Sequence, residues 1–184
     1  MLRHLPNTLT GMRLVSAPVL ALLLLGGHAR AALALLAFAG VTDAADGYVA
    51  KRYGLATRFG RYLDPTADKL LMVSAFLALT AIGVTPLWLM ALVIGRDLCI
   101  VGAILVARML ALPLRVEPLP IGKICTAVQV GYVAMAVFFL AFQIAEPQPL
   151  QVAAWITAGL TLASAIAYAG LWLKAFSARY RRAT

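Results

Sequence analysis

Four aspartates fall in two close pairs: Asp43 and Asp46 are three residues apart, and Asp64 and Asp68 are four apart. At helical pitch either spacing puts both members of a pair on one face. Small residues accompany them. Gly47 is four after Asp43, Ala50 is four after Asp46 and Gly60 is four before Asp64, so no bulky side chain fills the space beside the carboxylates. Four mutually repelling hard oxygen donors around an open space suit one or two divalent ions, Mg2+ or Mn2+. Such ions normally share their coordination with substrate phosphates.

The elements that carry these residues are unusual for acids. Of 184 residues, 63% are apolar and only 12% are charged, and the mean hydropathy is +0.92. That is more apolar surface than one small core can hide, which excludes an ordinary soluble domain. Apolar runs of about 20 residues, the length that crosses roughly 30 Å of hydrocarbon, lie near 10–27, 31–50, 62–83, 86–108, 122–144 and 150–173. The breaks carry turn chemistry, from Gly26-Gly27-His28 through the Tyr53-Gly54 region and Gly83 to Pro86, to Pro113–Pro120 and Glu146-Pro147-Gln148-Pro149. No connection is long enough for a second domain, so residues 1–184 read as one all-α integral membrane domain of six transmembrane helices. Arg3 ahead of the first run and His28-Ala29-Arg30-Ala31 after it look like a secretory signal. The run is long for one and Arg13 interrupts its start, so an uncleaved span is expected.

The formal charge of +9 follows topology. With the N-terminus inside, thirteen of the sixteen Lys and Arg fall on the cytoplasmic side: Arg3, Arg13, Lys51, Arg52, Arg58, Arg61, Arg108, Arg115, Lys123, Lys174, Arg179, Arg181 and Arg182. Only Arg30 falls opposite. The positive-inside rule therefore places both termini in the cytoplasm, and the basic excess is no sign of nucleic acid. Lys69 and Arg96 remain inside spans, as do Asp43, Asp46, Asp64, Asp68 and Asp97, five of the seven acids.

A carboxylate at a helix centre costs about 2.5–3.5 kcal/mol, so four without partners would cost roughly 10–14 kcal/mol. Something must neutralise them. The second and third spans are joined by a short basic loop, which predicts antiparallel neighbours whose aspartate pairs converge. Two other uses of the same residues stay open. The aspartates could pair with Lys51, Arg52, Arg58, Arg61 and Lys69 in a salt-bridge cluster, which leaves the spacing and the glycines unexplained. Alternatively they could form the relay of a carboxylate-based ion transporter, although the fifth and sixth spans hold no counterpart of the kind an internal repeat would supply.

Asp43-Ala44-Ala45-Asp46-Gly47-Tyr48-Val49-Ala50-Lys51, followed by eight residues to Gly60 and then Asp64 and Asp68, resembles the signature of the CDP-alcohol phosphotransferases, D-x2-D-G-x2-A-R-x8-G-x3-D-x3-D. Every spacing matches, and Lys51 stands where the family usually has Arg. Lysine keeps the charge but lacks the planar two-point grip on phosphate. The resemblance implies six transmembrane helices in a homodimer, with the site open to the cytoplasmic leaflet. It implies that Asp43, Asp46, Asp64 and Asp68 ligate two divalent ions, with Asp68 also the general base. It further implies that Asn7, Thr10, Gly47, Ala50, Lys51, Thr57 and Gly60 line the site for the CDP-activated lipid.

Acceptor residues are expected on the fourth and fifth spans. Arg96-Asp97 lies mid-run, Arg108 follows twelve residues later, and Lys123-Ile124-Cys125-Thr126-Ala127-Val128-Gln129 opens the fifth span. An intramembrane arginine points to phosphate recognition or to neutralisation of another buried charge. These residues, with Ala17-Pro18-Val19-Leu20 and Ala39-Gly40-Val41-Thr42, are similar to the CMP-forming cardiolipin synthase branch of the family. The phosphatidylglycerophosphate synthase branch usually has Arg-Glu and a further Arg eight residues on, where this chain has Ile104. The resemblance implies phosphatidyl transfer from CDP-diacylglycerol to phosphatidylglycerol, with glycerol 3-phosphate as the alternative acceptor. Lacking an Arg- and Ser-rich presequence, the chain is expected in a bacterial inner membrane rather than a mitochondrial one.

The remaining features have plain readings. Trp88 and Trp155 near span ends are interface anchors. Cys99 and Cys125 have no metal-like spacing and read as buried free thiols. His4 and His28 are isolated, the cluster from Lys174 to Arg182 follows topology or meets anionic lipid, and the sixth span is generic apolar helix.

Overall fold

A computed structural model describes the backbone of residues 5–53, 60–109 and 119–183, and the side chains of 14–42, 68–107, 109 and 119–173. The described residues form six helices: α1 Leu5–Leu25, α2 Ala29–Tyr53, α3 Gly60–Ala81, α4 Leu87–Met109, α5 Pro120–Ala141 and α6 Pro147–Ala183. Each covers one of the six apolar runs. The largest departure is α6, whose 37 residues would extend about 55 Å at 1.5 Å per residue. It continues without a break from the apolar run into the basic segment up to Ala183.

Among the described residues, stretches of α4, α5 and α6 (Leu87–Ala107, Pro120–Ala141 and Pro147–Leu173) are long and apolar enough to cross a membrane by length and composition. The apolar stretches Leu14–Leu25 and Ala29–Thr42 are shorter. Large apolar side chains such as Leu98, Leu105, Trp155, Ile156, Ile166 and Leu173 are exposed, whereas Thr85, Arg96, Gln129, Thr157, Thr161 and Ser164 are buried. Apolar side chains such as Leu20, Phe76, Leu89 and Val137 also fill the core, and large apolar side chains left outside while hydroxyls are held inside are what surrounding hydrocarbon would favour.

Three helix ends close in the same way. At the end of α1, the N–H of His28 donates to Leu23 O and that of Gly27 to Leu24 O. At the end of α3, the N–H of Val84 donates to Leu79 O and that of Gly83 to Thr80 O. At the end of α5, the N–H of Ile144 donates to Phe139 O and that of Gln143 to Leu140 O. This pairing needs a left-handed residue just past the helix. Gly27 and Gly83 supply it at φ 75° and 79°, and Gln143 adopts it with a side chain at φ 53°.

The chain divides into two compact units, Met1–Pro86 with Val133–Glu146, and Leu87–Tyr132 with Pro147–Thr184. In the first unit α1 packs along α3 and against α2. Its buried stripe is Ala17, Leu20 and Leu24, and that of α3 includes Leu71, Ala75, Ala78 and Leu79. The loop length predicted α2 directly against α3. The packing described here runs through α1, while the approach of the two helices at the aspartates falls on side chains outside the described residues. At the opposite end, Arg30 at the start of α2 donates from Nε to the Ala141 carbonyl at 3.2 Å, which supplies a partner to a carbonyl in the last turn of α5.

In the second unit α4 packs against α6. Trp88 stacks on Trp155 with ring centroids 4.9 Å apart, and Arg96 meets Ser164 eight or nine residues further along each helix. The two helices therefore run parallel. Gln129 and Cys125 of α5 meet Thr161, whereas the earlier Gly122 lies beside the later Tyr168, so α5 runs antiparallel to α6.

Candidate functional site

The backbone is helical at all four aspartates. The helix α2 carries Asp43, Asp46, Gly47, Ala50 and Lys51, and α3 carries Gly60, Asp64 and Asp68. The i,i+3 and i,i+4 spacings therefore do place each pair on one face of its helix. Asn7 and Thr10 are part of α1 itself rather than of a segment leading into it. The side chains of Asp43, Asp46, Asp64, Asn7, Thr10, Ala50 and Lys51, and the surroundings of Gly47 and Gly60, lie outside the described residues, as does Thr57 altogether. Asp68 is half-buried and its neighbour Lys69 is exposed. Thr42, next to Asp43, turns its Oγ1 back onto its own helix, donating within 2.8 Å of Phe38 O and 3.0 Å of Ala39 O. That hydroxyl is engaged locally on its own helix. Four carboxylates carried on two helix faces fit a hard divalent cation by their chemistry; the described residues, which exclude the side chains of Asp43, Asp46 and Asp64, hold no group of three or more His, Cys, Asp or Glu of their own.

The second unit holds a buried polar cluster around Arg96, which is 8% exposed. Its Nη1 pairs with Asp97 Oδ1 at 2.7 Å, its Nη2 donates to Ser164 Oγ at 2.6 Å, and its Cζ lies 5.5 Å from the centre of the Tyr168 ring. The Tyr168 hydroxyl accepts the N–H of Leu119, at the start of α5, at 3.3 Å. Gly122 makes this possible. A Cβ there would lie 2.8 Å from Tyr168 Oη and 3.4 Å from Arg96 Nη2. Arg96 Nε is buried without a hydrogen-bond partner among the described residues. The guanidinium is thus neutralised on one side, held on a second, and stacked on a third.

One turn away, Gln129 Nε2 donates to Thr161 Oγ1 at 3.2 Å and to Cys125 Sγ at 3.4 Å. Thr161 Oγ1 in turn donates to Thr157 O at 2.7 Å. Cys125 is buried as expected, but Cys99 is exposed. Lys123 is exposed on the first turn of α5, and the Arg108 side chain lies outside the described residues.

The sixth span is therefore more than apolar filler. Thr157, Thr161, Ser164 and Tyr168 are spaced four, three and four residues apart and all are buried. The signal is in the sequence: a hydroxyl stripe at helical period on an otherwise apolar span.

Comparison with known proteins bears on the whole chain. Residues 3–172 match the family model described as CDP-alcohol phosphatidyltransferase. The chain belongs to the CDP-alcohol phosphatidyltransferase family. Among its relatives in the family, a Drosophila melanogaster protein named "Probable cardiolipin synthase (CMP-forming)" is 34% identical over 180 residues, covering 89% of this chain and 56% of that protein. The Rattus norvegicus "Cardiolipin synthase (CMP-forming)" is 33% identical over 180 residues, 89% of this chain and 60% of its own length. The Bacillus subtilis "CDP-diacylglycerol--glycerol-3-phosphate 3-phosphatidyltransferase" is 29% identical over 182 residues, 90% of this chain and 93% of its own length. The chain thus spans 56–60% of the two cardiolipin synthases and nearly the whole of the bacterial relative.

Proposed function

We propose that this chain is a phosphatidyltransferase of phospholipid biosynthesis, moving the phosphatidyl group of CDP-diacylglycerol to a hydroxyl of phosphatidylglycerol and releasing CMP. The observation that carries the reading is the unbroken family spacing of Asp43, Asp46, Gly47, Ala50, Gly60, Asp64 and Asp68 on two continuous helices. In this reading the four aspartates hold two divalent ions, Mg2+ or Mn2+. Bound there, the ions would neutralise the pyrophosphate and polarise the phosphorus to be attacked.

The chain's own residues supply the rest. Asp68 takes the proton of the acceptor hydroxyl as its oxygen bonds to the lipid-linked phosphorus. The bond from that phosphorus to the bridging oxygen breaks, and CMP leaves with the electron pair. Lys51 contributes a point charge toward the CDP phosphates, with Asn7, Thr10, Gly47, Ala50, Thr57 and Gly60 shaping the nucleotide end. Arg96, Arg108 and Lys123 would receive the acceptor's phosphate. For Arg96 this is supported by a burial-strengthened charge and one unpartnered donor.

The proposal also takes the chain to be an integral membrane homodimer of six spans per chain, with both termini and the active site on the cytoplasmic side. The thirteen-to-one partition of cations supports that orientation. Parallel α4 and α6, and the shared end of α2 and α5 at Arg30 and Ala141, are what an alternating path across a bilayer requires.

Glycerol 3-phosphate is the second acceptor, favoured by the Bacillus relative whose length this chain matches. Purified protein given CDP-diacylglycerol and each acceptor in turn separates the two. Cardiolipin formed from phosphatidylglycerol supports the first reading, and phosphatidylglycerophosphate formed from glycerol 3-phosphate replaces it with the second.

A further inference from the structure

The sixth helix lies outside the aspartate motif, yet it holds the one buried arginine of the described residues. Ser164 Oγ receives a hydrogen bond from Arg96 Nη2 at 2.6 Å, and Ser164 is fully buried. The Tyr168 ring lies beneath the same guanidinium, and its hydroxyl is fixed in turn by the Leu119 N–H. These contacts constrain different freedoms. Asp97 balances the charge from the next position on the same helix, whereas tying the head group to a second helix takes a contact from that helix. Ser164 does so from α6, setting the direction of Nη2, while the ring sets the plane of the guanidinium. With both terminal nitrogens engaged, the Nε edge is the part left without a protein partner. A buried N–H without a partner is unfavourable, which gives a bound oxyanion or water a reason to sit there.

We propose that Ser164 and Tyr168 are positioning residues for Arg96, orienting the guanidinium so that its Nε edge meets a phosphate oxygen of the acceptor. Gly122 is the space that lets Tyr168 reach this position. This rests on the reading above in which Arg96 recognises the acceptor. It adds that recognition depends on the α6 hydroxyl stripe, which no part of the family motif includes.

The test measures apparent KM for phosphatidylglycerol and for CDP-diacylglycerol separately, in the full-length protein, for S164A, S164T, Y168F and R96K, alongside the thermal midpoint in detergent. S164A is expected to raise the acceptor KM roughly tenfold, in line with loss of a hydrogen bond to a charged group. The CDP-diacylglycerol KM stays within about twofold, and S164T, which keeps the hydroxyl, returns the acceptor KM toward the parent value. Y168F, which frees the ring from Leu119, moves the acceptor KM in the same direction by less. If R96K raises the acceptor KM while S164A and Y168F leave it unchanged, the positioning role is overturned and the acceptor reading of Arg96 stands. If R96K leaves the acceptor KM unchanged, that reading fails and the positioning role falls with it. Equal changes in both KM values with a lowered midpoint would reduce Ser164 to a packing residue and overturn the proposal.

Discussion

Arg96 Nη2 and Ser164 Oγ lie 2.6 Å apart, joining helices whose contacting residues are 68 positions apart in the chain. Arg96 stands out as a charge in an apolar span, whereas Ser164 alone does not. Together with Asp97 and Tyr168 they surround the guanidinium of an arginine that is 8% exposed. Asp97 pairs with the guanidinium from α4, and Ser164 and Tyr168 meet it from α6. Removing Ser164 should therefore leave the arginine buried but less directed.

Gly122 and Tyr168 should be energetically coupled. In G122A the new Cβ would lie 2.8 Å from Tyr168 Oη, so the ring must move and the Leu119 bond must lengthen. The single variant is expected to lower stability by about 1–3 kcal/mol. Adding Y168F removes the closest clashing atom, so the double variant should lose less than the sum of the two singles. Chemical or thermal unfolding of the four proteins in one detergent measures the coupling; strict additivity would mean the ring already has room.

The three helix ends predict opposite responses to glycine. At Gly27 and Gly83 an added Cβ meets nothing within 4 Å, but both residues have positive φ. Alanine there should cost about 1 kcal/mol through backbone conformation alone. Gln143 occupies the equivalent position with a side chain, so Q143G should stabilise by up to about 1 kcal/mol. Thermal midpoints of G27A, G83A and Q143G show this directly, and a lowered midpoint for Q143G would mean its side chain contributes more than the backbone costs.

Thr161 should tolerate serine better than valine. It is fully buried, accepts from Gln129 Nε2 and donates to Thr157 O. T161V keeps the shape but leaves Gln129 with only a weak sulfur acceptor from this pair, costing about 1–2 kcal/mol. T161S should recover most of that in the same unfolding measurement, unless lost methyl packing rather than the hydroxyl dominates.

Much of the helical order was legible because apolar runs separated by turn residues mark where helices form. Each of the six helices overlaps one apolar run, and glycine marked two of the three left-handed closures among the described residues. The third was missed because Gln143 has no left-handed preference to betray it; only the helix ending before Pro147 forces the turn. The apolar stretch of α6 ends at Leu173, as the run near 150–173 predicts, while the helix continues to Ala183, since hydropathy says nothing of where a helix stops. For the site, the aspartate spacing was visible because carboxylates in apolar runs are costly. Ser164, Tyr168 and Gly122 were not, because hydroxyls and glycine are cheap in a membrane helix and acquire meaning only from what faces them. Arg96 was visible as a charge, but its partner on α6 was a tertiary fact.

The aspartate assignment makes a graded prediction. Asn at 43, 46 or 64 should lower kcat by at least about a hundredfold, and raised Mg2+ or Mn2+ should recover part of the loss where only metal affinity has suffered. Asn at 68 should not be recovered by metal, since the proton acceptor itself is gone. Steady-state rates across a metal titration distinguish the two behaviours, and full turnover by D68N would remove Asp68 as the base.

The most direct test is CMP release by the purified chain in detergent micelles containing CDP-diacylglycerol, with and without divalent metal and with and without phosphatidylglycerol. Phosphatidyl transfer predicts CMP and cardiolipin in equal amounts only when metal, donor and acceptor are all present, and neither product from a variant with Asp43, Asp46, Asp64 and Asp68 all replaced by Asn. No CMP with phosphatidylglycerol, glycerol 3-phosphate, inositol or serine as acceptor, together with nucleotide-independent ion flux in liposomes, would contradict it and return the aspartates to an ion pathway.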